Sequence, residues 1–338
     1  MSAENNKLTT EEIEKGVEYL TRLNEKYDGI GQNFTDYLEG LLHSKGLGYW
    51  DYIHVDSLLG LQVPQTEFTD EIIFITYHQI TELYFKLIKH ELDQLTDPIK
   101  KEFESLEFWH KRMARVVNYF RHLSNSFDIM MSGMDPRDFR KFRMSLLPAS
   151  GFQAVQYRHI EIMSTNLNSL VFADARNQLD VPLEKLYDQI YWKGGGIDMR
   201  TKNKTLTLKE FEKKYDEELM QWIKEFKFRN LNYLFYRLDS DLKKDEKLRN
   251  LLRQYDELVN VFWKLSHFTA SAHHLPADDQ GTGGTNWRKY LPPRFQKVIF
   301  FETLWSAEER DEWGKAAVVK AFKNKVKDSW MKPNPKEK

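Results

Sequence analysis

The sequence predicts an all-α fold, and three observations support this class. Glycine and proline number 16 and 10 among 338 residues, which is well below their average usage of roughly 12%. Apolar residues recur at alternating steps of three and four along several long stretches, as they do in amphipathic helices. No stretch of five or more residues alternates cleanly between apolar and polar, as a half-buried strand would. We therefore expect one large helical bundle.

Four stretches predict the longest helices. Residues 70–95 are apolar nearly all round, so we expect this helix to be buried on most sides. Residues 106–130 carry one apolar ridge of about seven turns. Similar ridges run through residues 211–235 and 248–262. Each ridge is one face of a helix directed at a core.

Composition excludes several classes of function. The net charge of −1 gives no electrostatic reason to expect nucleic acid or a polybasic membrane contact. The absence of cysteine excludes disulfides, cysteine-ligated zinc, iron–sulfur clusters, thiolate-ligated haem and cysteine nucleophiles. Any metal must therefore be bound by His, Asp or Glu. The chain begins without a signal-peptide pattern and its apolar runs are too short to cross a bilayer, so we expect a cytoplasmic protein.

The domain organisation predicted from the sequence is simple. Length alone favours about two domains, but no linker separates two different compositions. We expect an N-terminal arm and helix over residues 1–48 and a single helical domain over residues 49–325. The proline- and lysine-rich end, residues 326–338, is expected to be disordered.

The first candidate site residue is His78, which lies inside the apolar stretch 70–95. Phe74 precedes it by one helical turn and Glu82 follows it by one turn, so the three side chains share a face. A histidine in this setting is most simply a core residue that bonds to a neighbour. The alternative is a histidine that faces a ligand cavity.

A second candidate pair is Phe139 with Arg143. One turn separates them, so an aromatic ring and a guanidinium point the same way. Such a pair suits a planar substrate with a carboxylate, which arginine binds through two parallel hydrogen bonds. The alternative is an arginine on a solvated surface. Ser150 follows in a tight turn and could be only a helix N-cap.

The third candidate is His267, one turn after Trp263. In a chain without cysteine, an imidazole is the natural axial ligand for haem iron; the alternative is a core or capping histidine. The glycine-rich stretch 281–284 lacks a P-loop lysine and follows no strand, so it gives little support for nucleotide binding. His273 and His274 are adjacent and would project about 100° apart on a helix.

Together these motifs resemble the tryptophan 2,3-dioxygenase family, whose members are tetrameric all-α haem enzymes. Each motif alone is weak, but six of them in the family's order over residues 49–291 are specific. The motifs are YWDYIHVD from Tyr49, FITYHQ from Phe74 with ELYFK from Glu82 and HEL from His90, FRKFR from Phe139, PASGFQ from Pro148 with QYR from Gln156, WKLSH from Trp263, and GTGG from Gly281.

The resemblance implies a role for each matched residue in the pocket. His267 is similar to the proximal ligand of haem b, with one haem per subunit. His78 is similar to the distal histidine that contacts the indole N–H of L-tryptophan, and Phe74 would pack on the indole. Arg143 would bind the substrate carboxylate, and Phe139 would line the pocket.

The resemblance also implies contributions from the periphery of the site. Ser150 would lie near a haem propionate or the substrate. Thr282, in the glycine loop, would bind the substrate ammonium and carboxylate. Tyr49 and Tyr52 are similar to aromatic residues that reach the pocket of a neighbouring subunit, which implies a homotetramer.

The implied reaction inserts both atoms of O₂ across the indole C2–C3 bond of L-tryptophan and gives N-formylkynurenine, in tryptophan catabolism by the kynurenine pathway. A related haem-dependent monooxygenase that hydroxylates an indole or a phenol is the alternative enzyme. Arg143 and Thr282 favour an amino-acid substrate over a bare indole. A haem-free helical interaction protein is the alternative outside enzymes.

The sequence departs from the family pattern at two places. After the glycine loop, Thr285-Asn-Trp287 replaces the usual two serines and a glycine, so loop closure or substrate size should differ. Before the loop, Ala272-His-His-Leu-Pro-Ala277 replaces a stretch that contains arginine and glycine. This second departure leaves His273 as another candidate ligand for iron.

Overall fold

The computed structural model describes residues 8–97, 99, 105–176, 181–198, 201–275, 288, 292 and 297–319. Across these residues the regular structure is helical, apart from isolated bridges that join Val171 to Ile190 and Ile197 to Lys204. The predicted all-α class is therefore confirmed. None of the helices described is long and apolar enough to cross a membrane.

The chain forms two compact units that divide between Leu61 and Gln62. The first unit contains helices α1 (Thr10–Asp28), α2 (Phe34–His43), α3 (Tyr49–Ile53) and α4 (Val55–Leu59). A capping box starts α1, since Thr9 and Glu12 each bond the other's backbone N–H. The predicted division at residues 48 and 49 stays a prediction, and the predicted tail 326–338 lies outside the described residues.

The second unit contains the remaining helices and five 3₁₀ turns among its described residues. The helices are α5 (Glu71–Leu95), α6 (Leu106–Asn125), α7 (Phe127–Gly133), α8 (Pro136–Phe142), α9 (Val155–Ser164), α10 (Leu167–Leu170), α11 (Leu183–Asp188), α12 (Leu206–Phe226), α13 (Leu231–Arg237), α14 (Ser240–Lys244), α15 (Glu246–Glu257), α16 (Lys264–His274) and α17 (Ala307–Asp311). Helix α5 packs on α6, α7 and α9, and α16 packs on α7 and α8. These contacts place the candidate site residues of α5, α8 and α16 in one core.

Two of the predicted ridges are each divided between two helices. The first breaks at Ser126, whose hydroxyl donates to the Leu123 carbonyl at 2.7 Å and so competes with the helical pattern. The ridge over residues 211–235 breaks at Asn230. Its side chain donates to the Phe226 carbonyl at 2.9 Å and accepts from the Tyr233 N–H at 2.9 Å. One asparagine thus closes α12 and caps α13.

The third ridge ends differently from the prediction, because a π-helical turn, Leu258–Trp263, joins α15 to α16. Each residue of a π turn bonds one position further along than in an α-helix, so the buried stripe moves on by one residue. Val259 and Trp263 are consequently buried. Phe262, which the prediction placed on the ridge, is exposed.

Helix α5 is less enclosed than its composition predicted. Tyr77, Phe85 and other residues face the core, but Ile72, Leu83 and Leu87 are exposed. The physical reason is that α6, α7 and α9 cover one side of the helix. The opposite side exposes these three apolar residues together with Lys86, His90 and Asp93, and the expectation of burial on most sides was wrong there.

The buried carboxylate of Asp256 connects α15 to residues 300–305. Asp256 on α15 is fully buried and accepts the backbone N–H groups of Phe300 and Phe301 at 2.9 and 3.0 Å. It also accepts the Trp305 indole N–H at 3.1 Å and the Asn260 amide at 2.8 Å. All of these partners are donors, so the site needs a side chain with two acceptor oxygens.

We expect Asp256→Asn to lower the free energy of unfolding by about 2–5 kcal/mol. The NH₂ group of asparagine would replace one acceptor oxygen, so some of the buried donors around it would have no acceptor. Urea unfolding at pH 8 measures this change through the midpoint. Asp241→Asn, at an exposed position of α14, is the matched control and should change it by less than about 0.5 kcal/mol. Equal midpoints for the two variants would contradict the role of Asp256.

Candidate functional site

Helix α5 presents His78 as a neutral hydrogen-bond acceptor. The Nδ1 atom lies 2.7 Å from the Phe74 carbonyl, and a carbonyl only accepts, so Nδ1 carries the proton. Burial lowers the pKa of His78, which keeps the ring neutral and leaves Nε2 with a free lone pair. Among the described residues, none bonds to this Nε2 atom. His78 is thus prepared to accept an N–H from a ligand.

Helix α8 supplies the aromatic side of the same site. The Phe74 ring lies 4.1 Å from the His78 ring and 5.8 Å from the Phe139 ring. Phe142 meets both phenylalanines edge-on, at 5.8 and 5.6 Å. Arg143 follows as the first residue of a 3₁₀ turn, and its side chain is buried. The structure therefore brings Phe74, His78 and Phe139 together, and the buried Arg143 follows Phe139 by one turn.

Helix α16 carries His267, which a chain of rings connects to His78. The His267 ring stacks on Phe127 at 6.0 Å and 18°. Phe127 lies 5.5 Å from Tyr77, and the Tyr77 ring lies 5.7 Å from that of His78. The two histidines, from helices nearly two hundred residues apart in sequence, thus belong to one cluster.

The electrostatics of His267 match those of a metal-binding imidazole. Its pKa is lowered to about 4, mainly by burial and further by repulsion from the Arg158 guanidinium and from His78 when that ring is protonated. The ring is therefore neutral near pH 7, as iron ligation requires. In the part of the chain that the structure describes, neither ring nitrogen has a hydrogen-bond partner. His78 and His267 are both only partly buried.

A buried charged network next to this helix was not predicted. Glu161 accepts from Arg158 at 3.2 Å and also from the Tyr191 hydroxyl, and Lys264 lies 4.0 Å from it. All four side chains are buried, and Lys264 is one turn before His267. In sequence, Arg158 and Glu161 show only the spacing of an ordinary surface pair. The one available signal was that Arg158 belongs to the QYR motif.

The other candidate residues lie in different settings. The Ser150 hydroxyl caps a 3₁₀ turn by accepting the Phe152 N–H at 3.3 Å, so it has the capping role that the sequence left open. Tyr49 and Tyr52 are exposed on α3 of the first unit. Thr282 lies outside the described residues, as do the departures at 276–277 and 285–287.

Part of the second departure from the family pattern, residues 272–275, lies among the residues that the structure describes. His273 is exposed in the last turn of α16, and His274 beside it is buried. Their ring centroids are 4.9 Å apart at 90°. The two adjacent histidines therefore face different surroundings, and only His274 points into the core.

Comparisons with known proteins agree with this arrangement. The family model for tryptophan 2,3-dioxygenase matches residues 39–187, which include Phe74, His78, Phe139 and Arg143. A tryptophan 2,3-dioxygenase of Ruegeria sp. (strain TM1040) is 28% identical over 289 residues, which cover 82% of this chain and 95% of that protein. The enzyme of the same name from Bradyrhizobium diazoefficiens is 29% identical over 272 residues, covering 78% and 92%.

A third relative extends the agreement to another genus. The tryptophan 2,3-dioxygenase of Bordetella pertussis is 28% identical over 272 residues, covering 78% of this chain and 90% of that protein. The relatives thus match most of both chains, beyond the range of the family model. The all-α core, the paired histidines of α5 and α16 and these comparisons agree, and over most of its length the chain is similar to the tryptophan 2,3-dioxygenase family.

Proposed function

We propose that the protein is a haem-dependent dioxygenase that cleaves the indole C2–C3 bond of L-tryptophan with O₂ and gives N-formylkynurenine. The observation that carries this proposal is the cluster containing two neutral histidines, His78 and His267, each with a ring nitrogen that is free among the described residues. The free ring nitrogen of His267 suits a metal, and the free Nε2 atom of His78 suits an N–H donor. The relatives' names support the same activity.

The cofactor we propose is haem b, one per subunit, with His267 as the iron ligand. Tryptophan 2,3-dioxygenases are haem-dependent in general, and a neutral, unpartnered imidazole fits that group. When bound, ferrous haem supplies the chemistry of O₂ activation. His273, the other candidate ligand, is exposed at the end of α16, which favours His267.

The residues of the pocket would bind and orient the substrate. The free Nε2 atom of His78 would accept the indole N–H, and Phe74 and Phe139 would form an aromatic wall against the flat ring. Arg143 would bind the carboxylate through two parallel hydrogen bonds. Apolar walls exclude water from the reacting bond, which prevents side reactions. The roles of Ser150 and Thr282 stay predictions.

The substrate range tests this proposal against the related monooxygenase. Both enzymes would need His78 and His267, but the buried Arg143 favours a substrate with a carboxylate. We therefore expect the haem-loaded, reduced protein to turn over L-tryptophan faster than indole, which lacks the carboxylate, and faster than L-tyrosine, which lacks the indole ring. Faster turnover of indole or L-tyrosine would favour the monooxygenase over the dioxygenase as the function of this protein. A purified protein that takes up no haemin would favour the haem-free interaction protein.

We also propose that the protein is a homotetramer. Ile72, Leu83 and Leu87 are exposed apolar side chains on α5, and a closed symmetric oligomer would cover such side chains. Tyr49 and Tyr52 are exposed on α3 and would complete the pocket of another subunit. The cytoplasmic location stays a prediction.

Sedimentation measures the assembly directly. We expect a tetramer at micromolar concentration, and Leu87→Glu should shift it to smaller species because the charge would be buried in an apolar interface. Lys213→Glu, at an exposed position of α12 away from this surface, is the control and should leave the tetramer intact. A fully active monomer would overturn this proposal.

A further inference from the structure

His274 connects the helix of the proposed iron ligand to a neighbouring helix. It ends α16, seven residues after His267, and is buried with 2% of its surface exposed. Its Nε2 atom lies 2.7 Å from the Met130 carbonyl, and because a carbonyl only accepts, Nε2 carries the proton and donates. Burial lowers the pKa of His274, so the ring is neutral in this role.

The carbonyl that His274 binds lies at a helix end. Met130 is in the last turn of α7, where carbonyls lack their usual intrahelical partners. The His274 N–H supplies a partner from another helix. Only Met134 and Asp135 then separate α7 from α8, so this hydrogen bond holds the α7–α8 corner, which we define as residues 130–139.

The same histidine packs on the side chain at the far end of this corner. The His274 ring lies 5.2 Å from the Phe139 ring at an angle of 57°. Phe139 is the residue that contacts Phe74 in the candidate site, and Arg143 lies one turn beyond it. His274 therefore contacts the α7–α8 corner at both ends, through a hydrogen bond and through a ring contact.

A second residue, Asp70, also bonds to the corner. The carboxylate of Asp70 accepts the backbone N–H of Asp135 at 2.6 Å. Asp70 is the N-cap residue of α5, the helix that carries Phe74 and His78. The corner is thus bonded to the helices of both proposed histidines, through Asp70 to α5 and through His274 to α16.

We propose that His274 is a positioning residue that, with Asp70, fixes the α7–α8 corner and thereby places Phe139 and Arg143 against the substrate. The inference rests on the proposed function for the identity of the substrate. It assigns a use to one of the two histidines with which this chain departs from its family's pattern. His274 acts on substrate binding and leaves the iron ligand unchanged.

The test compares three variants of the haem-loaded protein. His274→Leu removes the donor, His274→Gln keeps an N–H that can reach the Met130 carbonyl, and His273→Gln changes the exposed neighbour as a control. L-tryptophan binding is measured from the optical change of the haem, kcat and KM from turnover, and hydrogen exchange from peptides that cover residues 127–143.

For His274→Leu we expect weaker L-tryptophan binding and faster exchange of these peptides, each by about three- to tenfold, the range for loss of one hydrogen bond. KM should rise while kcat and the haem spectrum stay near those of the parent. His274→Gln should restore most of the affinity, and His273→Gln should match the parent. Should His274→Leu fail to fold, Asp70→Ala tests the same corner and should speed exchange of the same peptides.

Parent-like affinity and exchange in His274→Leu, or in Asp70→Ala if that is the variant used, would overturn the proposal. Loss of haem from His274→Leu would overturn it as well, because the residue would then belong to the iron site. If the parent protein binds no L-tryptophan, the proposed function fails instead. The exchange of the corner peptides still decides the structural role of His274 in that case.

Discussion

His267→Ala is expected to abolish tight haem retention, whereas His78→Ala and His273→Ala are expected to retain haem. The His267 imidazole is neutral, with its pKa lowered to about 4, and without cysteine the chain offers no thiolate in its place. Loss of a residue that merely supports a ligand weakens metal binding 10–100-fold, so loss of the ligand itself should weaken haem binding by more than roughly 100-fold.

Optical spectra of the three purified variants measure this outcome. The His78 variant should show a histidine-ligated haem with altered activity, since the proposed indole hydrogen bond is a neutral one of about 0.5–1.5 kcal/mol. If His267→Ala keeps a normal histidine–haem spectrum while His273→Ala loses it, the proposed iron ligand is wrong and His273 takes its place.

Arg143→Leu is expected to lower kcat/KM for L-tryptophan severely. Arg143 is buried, and removal of one partner from a buried charge pair costs about 2–5 kcal/mol because the carboxylate stays unpaired. At tenfold per 1.36 kcal/mol, this is a loss of roughly 30- to several-thousand-fold. Steady-state kinetics with L-tryptophan measures it.

Two controls separate carboxylate binding from general damage. Indole, which lacks the carboxylate, should react poorly with the parent enzyme and be nearly insensitive to Arg143→Leu. Arg140→Leu changes an exposed arginine of α8 and should leave turnover of L-tryptophan near that of the parent. An unchanged L-tryptophan rate in Arg143→Leu would contradict its role in substrate binding.

The fold was largely predictable because helical periodicity is local. Apolar spacing, which is a local property of the sequence, predicts the positions of α5, α6, α12 and α15. The π turn before α16 was not predictable in this way, because one extra residue in a turn leaves no mark in composition. Its effect is visible in Phe262, which spacing placed in the core and the structure leaves exposed.

In the candidate site too, the sequence predicts contacts within one helix but not contacts between residues far apart in the chain. Phe74 and His78 share a face by spacing alone, and the structure adds the hydrogen bond that fixes the proton on Nδ1. The contact between His274 and Met130 joins residues 144 positions apart, and no local pattern encodes such a pair. The buried Arg158 was hidden for the same reason, since its burial depends on helices distant in sequence.

The mass of the product formed from L-tryptophan and ¹⁸O₂ by the haem-loaded, reduced protein tests the proposed reaction most directly. Cleavage of the indole C2–C3 bond by insertion of both oxygen atoms predicts N-formylkynurenine that carries two labelled oxygens on one substrate molecule. A product with a single labelled oxygen would contradict dioxygenation and identify the protein as a monooxygenase.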